Sequence, residues 1–243
     1  SRGLGDVYKR QAYLYLFNLN LDWVLMFQSH PFTFVYQDDG SVMFYCKVKK
    51  GITKKLRNYL LCQPNYTSSI TVMVEGPYGG IAERIVSSKQ TDHLIMASTG
   101  TGISGAMGHL KSAIKNKVPK ISLVWIVPYW SDIEFIKREF KFLQQEKTNN
   151  IDLRLDFYVT REDSNETIEK KTVFAIDYIN IHTGKPDISA LFDDNLASSP
   201  LNNYKTNVLL CTHHTLRDIV QKSVAKYRKS GHNIELFDET QQW

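Results

Sequence analysis

Cysteine is scarce in this sequence, and its scarcity excludes two classes of protein. Cys46, Cys62 and Cys211 are the three cysteines among 243 residues, and they lie far apart. No C-x-x-C pair and no Cys/His cluster has the spacing of a zinc site, so we expect no metal ligand set. An odd number of distant cysteines also argues against a disulfide framework and favours a reducing compartment.

Long apolar runs and charge of one sign are also lacking. No run approaches the ~18 apolar residues that span a bilayer. The 30 basic residues are scattered among 25 acidic ones, for a net charge of +5, and a nucleic-acid binder more often shows a concentrated basic stripe. We therefore expect no transmembrane segment in this chain and no nucleic-acid partner. Residues 1–11 have no apolar signal core and match no pattern below, so we interpret them as a foreign or unassigned extension.

The remaining residues suggest two domains of different type. Residues 12–90 carry short aromatic and β-branched runs with a hairpin signal at Asp39 and Gly40, which predicts a partial antiparallel β-barrel. Residues 91–243 alternate buried apolar runs with helical patterns, which predicts a doubly wound α/β domain with a parallel sheet. The apolar runs are 94–97, 121–127, 153–159 and 208–211, and the helical stretches are 106–114, 133–145 and 216–229.

A glycine-rich corner follows the first apolar run of the second domain. Gly100, Gly102 and Gly105 satisfy G-x-G-x-x-G between a predicted strand and a predicted helix. Glycines let a pyrophosphate approach the backbone, where N–H groups and the helix dipole hold its charge. One such match is weak evidence, because similar turns also occur without a ligand.

Two further constellations lie in the first domain. Pro31 fixes the entrance of a strand, and His30 and Thr33 can present hydrogen-bonding groups to a flat ligand packed on Phe32. An ordinary strand start is the alternative.

The segment 47–55 is a strand end followed by Gly51, with Thr53 as a helix N-cap. It can bind a second phosphate among its basic side chains. A solvated basic face is the alternative there.

The order of these motifs resembles the ferredoxin-reductase-like flavoproteins. More narrowly, the chain resembles the FAD- and NADPH-binding region of fungal ferric-chelate reductases and of their relatives, the NADPH oxidases. The matching segments are H-P-F-T at 30–33, the basic strand with G-x-T at 47–53, E-G-P-Y-G at 75–79, the glycine turn at 98–104, the G-K-P-D loop at 184–187, Cys211 and the aromatic Trp243.

The resemblance implies roles for individual residues. Thr33 would lie close to the isoalloxazine, Cys211 beside the nicotinamide, and Trp243 would cover the flavin until nicotinamide displaces it. FAD would be bound by His30, Pro31, Phe32, Thr33, Lys47, Lys49, Gly51, Ile52, Thr53, Gly76 and Gly79. The NADPH pyrophosphate would be bound by Gly100, Thr101, Gly102, Ile103 and Ser104.

One sequence feature distinguishes sites that bind NADPH from sites that bind NADH. NAD-specific sites usually carry an acidic residue at the end of the second strand, where it bonds the ribose 2′-hydroxyl. Residues 127–129 contain no carboxylate, which favours NADPH. Arg161 or Lys185 would meet the 2′-phosphate, although each is also a plausible solvated loop charge.

The resemblance also implies an activity and a setting. Hydride would pass from NADPH to FAD, and single electrons would then pass to haem and to ferric iron or copper. The haem would belong to a membrane domain of the full-length chain, at the cytosolic face of the plasma membrane. Thr99, Pro128 and Thr212 depart from the family pattern, which leaves open a degenerate domain with a regulatory role. An NADPH oxidase-like superoxide producer and a domain that binds another nucleotide are two further alternatives.

Overall fold

Two units of unequal size make up the chain, residues 1–80 and residues 81–243. The sequence had suggested a boundary after residue 90. The structure is a computed structural model that describes residues 11–16, 30–37, 39–78, 85, 91–145, 150–162, 176–201 and 203–239. The predicted extension at 1–11 lies almost wholly outside these residues, and its last residue, Gln11, begins the first strand.

The first unit contains a four-stranded antiparallel sheet in the order β3-β2-β1-β4. Its strands are β1 (Gln11–Leu16), β2 (His30–Tyr36), β3 (Val42–Phe44) and β4 (Val72–Tyr78). Side chains alternate along β1, where Ala12, Leu14 and Leu16 are buried and Tyr13 is exposed. The hairpin between β2 and β3 closes through the Gln37 N–H, which donates to Ser41 at 2.9 Å.

One helix of the first unit, α1 (Ile52–Leu61), follows β3 along the chain. Its buried residue Ile52 packs with Leu16 of β1, and the half-buried Leu56, Tyr59 and Ile70 surround the pair. This contact fixes the start of α1 against the sheet, because burial of each aliphatic side chain contributes about 1.5–3 kcal/mol.

The second unit contains a six-stranded sheet in the order β10-β9-β5-β6-β7-β8, with every strand pair parallel. Its strands are β5 (His93–Thr99), β6 (Lys120–Val127), β7 (Asp152–Val159), β8 (Ile179–Thr183), β9 (Lys205–Cys211) and β10 (Asn233–Asp238). Its helices are α2 (Ile103–Lys115), α3 (Trp130–Glu134), α4 (Lys137–Gln145), α5 (Ile188–Ala197) and α6 (His214–Lys229).

The core of the second unit lies between the sheet and its helices. Residues of β5 and β9 pack in one cluster with residues of α5 and α6: Ile95, Ala97, Val208, Leu210, Phe192, Leu196, Val220 and Val224. Helix α2 contacts β5, β6 and β9, and every residue from Ile103 to Ile114 is buried.

The strand order has a topological switch point next to β5. β5 is flanked by β6 on one side and by β9 on the other. The chain leaves β5 toward β6, and it occupies the other side only later, with β9. In open α/β sheets, ligands bind outside the carboxyl ends of the strands at such a switch point, which here is formed by the ends of β5 and β9.

Candidate functional site

The glycine turn at the end of β5 has the geometry of an anion site. A 3-10 turn, Gly100–Gly102, joins β5 to α2. Gly100 has a φ of +52°, and a Cβ built on it would meet no atom within 4 Å, so the space above the turn is open. Gly102 is the N-cap of α2 and makes no side-chain cap bond. The first N–H groups of α2 are therefore not claimed by a capping side chain and can bind an anion.

The start of helix α5, unlike that of α2, is capped by a side chain. Its N-cap, Asp187, accepts a hydrogen bond from the Ala190 N–H at 3.0 Å. The carboxylate already supplies the negative charge that the helix start favours. The predicted G-K-P-D loop thus ends in a capping residue, whereas the glycine turn leaves its helix start open.

Two side chains hold the glycine turn in place from within the protein. The buried indole of Trp125 on β6 donates from Nε1 to the Gly100 carbonyl at 2.9 Å. The Ser104 hydroxyl donates to the Thr101 carbonyl at 2.9 Å, and Ser104 is buried. Ser104, which was predicted to bind cofactor, therefore uses its hydroxyl proton inside the turn, and only its oxygen lone pairs are left for other partners.

Cys211 lies directly against the glycine turn. It is the last residue of β9, is 4% exposed, and is in register with Ser98 of β5. A Cβ at Gly102 would overlap the carbonyl oxygen of Cys211 and would lie 3.2 Å from the Ser98 hydroxyl. Gly102 is thus required by the close approach of β9, and the structure brings Cys211 and the predicted pyrophosphate turn together.

Arg161 and Lys185 lie at the same edge of the sheet, on the side away from β9. Arg161 follows the end of β7, where its N–H donates to the Pro128 carbonyl at 2.9 Å. Lys185 follows β8 and Gly184, whose N–H donates to Val159 at 2.8 Å. Both basic side chains are exposed. They are placed where the adenosine end of a dinucleotide would lie if its pyrophosphate occupied the glycine turn.

Two carboxylates near the end of β6 were missed by the sequence analysis. The Tyr129 N–H donates to Asp132 at 3.2 Å, and the Trp130 N–H donates to Glu162 at 2.7 Å. Asp132 is the N3 residue of a capping box at the start of α3, which its position in the sequence could have indicated. Glu162 comes from the end of β7, and only the fold brings it here. Residues 127–129 themselves contain no carboxylate, and the two carboxylates that lie near them both accept hydrogen bonds from backbone N–H groups.

In the first unit, the predicted flavin residues lie along β2. Thr33 is buried, and Phe32 is half-buried with its ring edge-on to Phe44, at 6.4 Å between centroids and 77° between planes. Pro31 pairs with Tyr13 of β1. His30 is the first residue of β2, and its side chain lies outside the described residues.

The basic corner of the first unit differs from the predicted cap. Gly51 is the N-cap of α1, with a φ of +74° and no side-chain cap bond, so the prediction that Thr53 caps this helix was wrong. The Thr53 hydroxyl instead accepts the Lys49 N–H at 2.9 Å and closes the loop across Gly51. A Cβ at Gly51 would meet no atom within 4 Å. The exposed side chains of Lys47 and Lys49 flank this open helix start.

A tyrosine pair surrounds Glu75, next to Gly76. The carboxylate of Glu75 accepts hydrogen bonds from Tyr15 at 2.9 Å and from Tyr78 at 2.5 Å. These hydroxyls, Tyr78 first, lower the pKa of Glu75. Glu75 belongs to a motif that was recognised in the sequence, whereas its contact with Tyr15 was not predicted. Gly79 and Trp243 lie outside the described residues.

The part of the chain that the structure describes contains neither a metal-binding cluster nor a membrane-spanning helix. There, no group of three or more His, Cys, Asp or Glu side chains is arranged to hold a metal ion. No helix in the same ranges is both long enough and apolar enough to cross a bilayer.

Comparison with known proteins covers both units. Residues 91–225 match the ferric reductase NAD binding domain family, and residues 4–82 match an FAD-binding domain family. A probable ferric reductase transmembrane component of Candida albicans is 26% identical over 248 residues, which cover 90% of this chain and 35% of that protein. The chain thus spans about a third of the length of that relative.

Two solved structures share the fold across nearly the whole chain. The cytochrome P450 reductase GcoB of Amycolatopsis aligns with a TM-score of 0.60 at 14% identity, covering 96% of this chain and 61% of that one. The flavohemoglobin of Malassezia yamatoensis, which was solved with bound FAD and heme, aligns with a TM-score of 0.59 at 13% identity, covering 95% and 51%. At such low identity these matches show the fold alone.

Proposed function

Because the chain belongs to the ferric reductase family through its NAD-binding domain, we propose that it binds NADPH and FAD and passes hydride from the first to the second. When bound, the two cofactors supply the redox chemistry, hydride transfer from nicotinamide to flavin and single-electron release from the flavin. The residues of this chain bind and align them. The observation that carries the proposal is the contact between the Gly102 turn and Cys211.

Because of this contact, pyrophosphate binding and nicotinamide alignment would take place at the same edge of the sheet. The glycine turn offers the N–H groups of α2 to a pyrophosphate. Cys211 ends the neighbouring strand and its carbonyl lies against that turn, at the edge of the sheet where we place the nicotinamide end of the same nucleotide. We assign Cys211 an aligning role, which needs no base, because hydride transfer depends on holding nicotinamide C4 over flavin N5.

The basic corner and β2 fit FAD in the same way. The open helix start at Gly51 and the cations of Lys47 and Lys49 suit a pyrophosphate. The Thr53 hydroxyl accepts a backbone N–H and so retains its proton for a phosphate oxygen. We assign Phe32 and Thr33, which are neighbours on β2, to the isoalloxazine site, with Trp243 as the aromatic cover.

At two of the three departures from the family pattern, Thr99 and Thr212, the backbone geometry favours a working site over a degenerate one. Thr99 has an extended backbone, with φ −128° and ψ 134°, which any residue adopts without strain. Thr212 is not among the described non-glycine residues with positive φ, so a threonine after Cys211 also costs no backbone strain. The substitutions change side chains at the site without distorting the turn.

The relatives support a proposal for the setting of the activity. The Candida albicans protein is named as a ferric reductase transmembrane component, and this chain covers only 35% of it. We propose that the whole protein carries a membrane haem domain, that the two units lie at the cytosolic face of the plasma membrane, and that electrons reach ferric iron or copper through the haem.

The nucleotide choice can be tested at the far end of the site. Arg161→Ala combined with Lys185→Ala should weaken NADP⁺ binding about 10-fold or more, since a charge-assisted contact contributes about 1.5–3 kcal/mol, and should leave NAD⁺ binding unchanged. Calorimetry with both nucleotides measures this. Lys222→Ala, an exposed lysine of α6, is the matched control. Equal weakening of both nucleotides would show that these cations do not read the 2′-phosphate.

A further inference from the structure

A positively charged segment of the first unit contains no carboxylate to balance it. Residues 40–74 include six lysine and arginine side chains and no aspartate or glutamate. The whole chain has a net charge of +5, so this segment supplies the excess of positive charge and the rest of the sequence is close to neutral. Lys47 and Lys49 are assigned above to FAD, which leaves the cations of helix α1 without an assigned role.

Helix α1 has its basic side outward. Ile52 and Leu56 pack with Leu16 of β1, which fixes the inner side of the helix. Lys54, Arg57 and Leu61 are spaced by three and four positions, so they lie on one side of the helix, and all three are exposed. Leu61 is 48% exposed. The outer stripe of α1, which consists of these three residues, thus has two cations followed by an apolar side chain.

The turn after α1 exposes an aromatic side chain on a strained backbone. Asn65 and Tyr66 have φ values of +53° and +55°, a left-handed conformation that is unfavourable for residues other than glycine. The Tyr66 N–H donates to the Gln63 carbonyl at 3.1 Å. Tyr66 is nevertheless 68% exposed, so burial of its ring does not offset the strain. Strain at an exposed residue points to a function outside the fold.

An anionic lipid bilayer is the partner whose chemistry matches all of these features. Each Lys or Arg near the surface of an anionic leaflet strengthens binding about 5-fold. Apolar and aromatic side chains beside such cations insert at the boundary between headgroups and acyl chains, where the ring of a tyrosine is in apolar surroundings and its hydroxyl in water. A solvated basic face would explain the cations alone, and it would leave the exposure of Leu61 and Tyr66 unexplained.

From these observations we propose that the outer stripe of α1 and the turn at Tyr66 form a docking surface for an anionic lipid bilayer. Lys54 and Arg57 bind the headgroups, and Leu61 and Tyr66 enter the interface. At 1.5 Å per residue, the apolar end of this surface lies about 15 Å along α1 from Gly51, where we place the FAD pyrophosphate. The inference rests on the membrane setting proposed above and is independent of hydride transfer.

Cosedimentation of the 243-residue protein with lipid vesicles tests the proposal. The protein should bind vesicles of phosphatidylcholine and phosphatidylserine in equal parts, should bind vesicles of phosphatidylcholine alone more weakly, and should be released by added salt. Lys54→Gln combined with Arg57→Gln removes two cations and should weaken binding to the anionic vesicles about 30-fold.

The matched control removes two cations from the second unit. Lys222 and Lys229 are exposed residues of α6 and lie on one side of that helix, since they are seven positions apart. Lys222→Gln combined with Lys229→Gln lowers the net charge by the same amount. Binding of this control to the anionic vesicles should equal that of the wild type.

Tyr66→Gly separates lipid binding from a structural role. Glycine adopts a φ of +55° without steric cost, so the midpoint of urea unfolding should not fall. Binding to the anionic vesicles should nevertheless weaken, because the aromatic ring is gone. A lower unfolding midpoint with unchanged vesicle binding would show that Tyr66 stabilises the turn and does not contact lipid.

Several results would overturn the docking surface. These are an absence of binding to the anionic vesicles, equal binding to neutral and anionic vesicles, and an equal loss in the α1 and α6 double variants, which would mean that net charge alone controls binding. Binding to poly-glutamate without binding to vesicles would assign the surface to an acidic protein. Flavin reduction by NADPH in a protein that does not bind vesicles would leave the proposed function intact.

Discussion

Cys211 is the single residue on which the aligning mechanism depends most. It ends β9 beside the glycine turn and is 4% exposed. The aligning role that we assign to it requires no general base. Cys211→Ser should slow flavin reduction by NADPH about 10-fold, which corresponds to a loss of ~1.4 kcal/mol at the barrier from misalignment. FAD content and the unfolding midpoint should change little, because a serine is of similar size. Anaerobic stopped-flow absorbance measures the rate.

Cys62→Ser is the control for this substitution, since Cys62 is an exposed cysteine of the first unit. Its rate should match that of the wild type. A normal hydride-transfer rate in a well-folded Cys211→Ser protein would show that Cys211 has a structural role in the core and does not align the nicotinamide.

His93 gives a second prediction at the same scale, about stability. It is fully buried at the start of β5, where its Nε2 lies 3.0 Å from the Ser122 hydroxyl. Burial, aided by the charge of Lys120, lowers the pKa of His93 from 6.5 to about 3. Between these values the unfolded chain binds a proton that the folded chain does not, so stability falls as the pH falls below 6.5.

His93→Gln tests this dependence by removing the titrating group and keeping an amide to bond Ser122. Between pH 6 and pH 4, the free energy of unfolding of the variant should fall less steeply with decreasing pH than that of the wild type. The difference between the two slopes should be at most about 1.4 kcal/mol per pH unit, the value for one proton. Urea unfolding at a series of pH values gives both slopes. Equal slopes for variant and wild type would mean that His93 is protonated in the folded protein.

Among the elements, strand β4 has an exposed apolar edge. It lies at one end of the first unit's sheet, and Val72, Met73 and Val74 are 40%, 50% and 48% exposed. An apolar edge strand is a template for pairing with another chain. Met73→Lys should therefore reduce concentration-dependent association of the protein, as measured by light scattering during size-exclusion chromatography.

The control for Met73→Lys is Leu201→Lys, which places the same charge on an exposed apolar residue of the second unit that lies outside the sheet. It should leave association as in the wild type. If Leu201→Lys reduces association as much as Met73→Lys does, net charge and not the β4 edge controls it.

Element type was predictable where apolar periodicity was strong. The runs predicted as buried strands became β5, β6, β7 and β9, and the predicted fold class is confirmed by the antiparallel and parallel sheets. β8 was missed because it is a short edge strand with only Ile181 buried. The helical run 133–145 proved to be two helices, α3 and α4, because amphipathic spacing alone does not reveal a break.

Across the whole molecule, only those parts of the site that consist of short sequence motifs were predictable. The glycine turn and Cys211 were found from their local sequence, and the resemblance to a family supplied their common purpose. Two contacts were not found: that of Glu162, which follows β7, with the Trp130 N–H beyond the end of β6, and that of His109 in α2 with Glu239 after β10. Each joins residues that only the strand order brings together. The reason for Gly102 was also hidden, since it is the approach of β9 that excludes a side chain there.

The most direct test of the account is an anaerobic titration of the FAD-loaded protein with NADPH. If the two units bind and align the two cofactors as proposed, the oxidised flavin absorption should bleach at about one NADPH per flavin, and NADH should reduce it more slowly. A protein that retains FAD but whose flavin stays oxidised in excess NADPH would contradict the central claim.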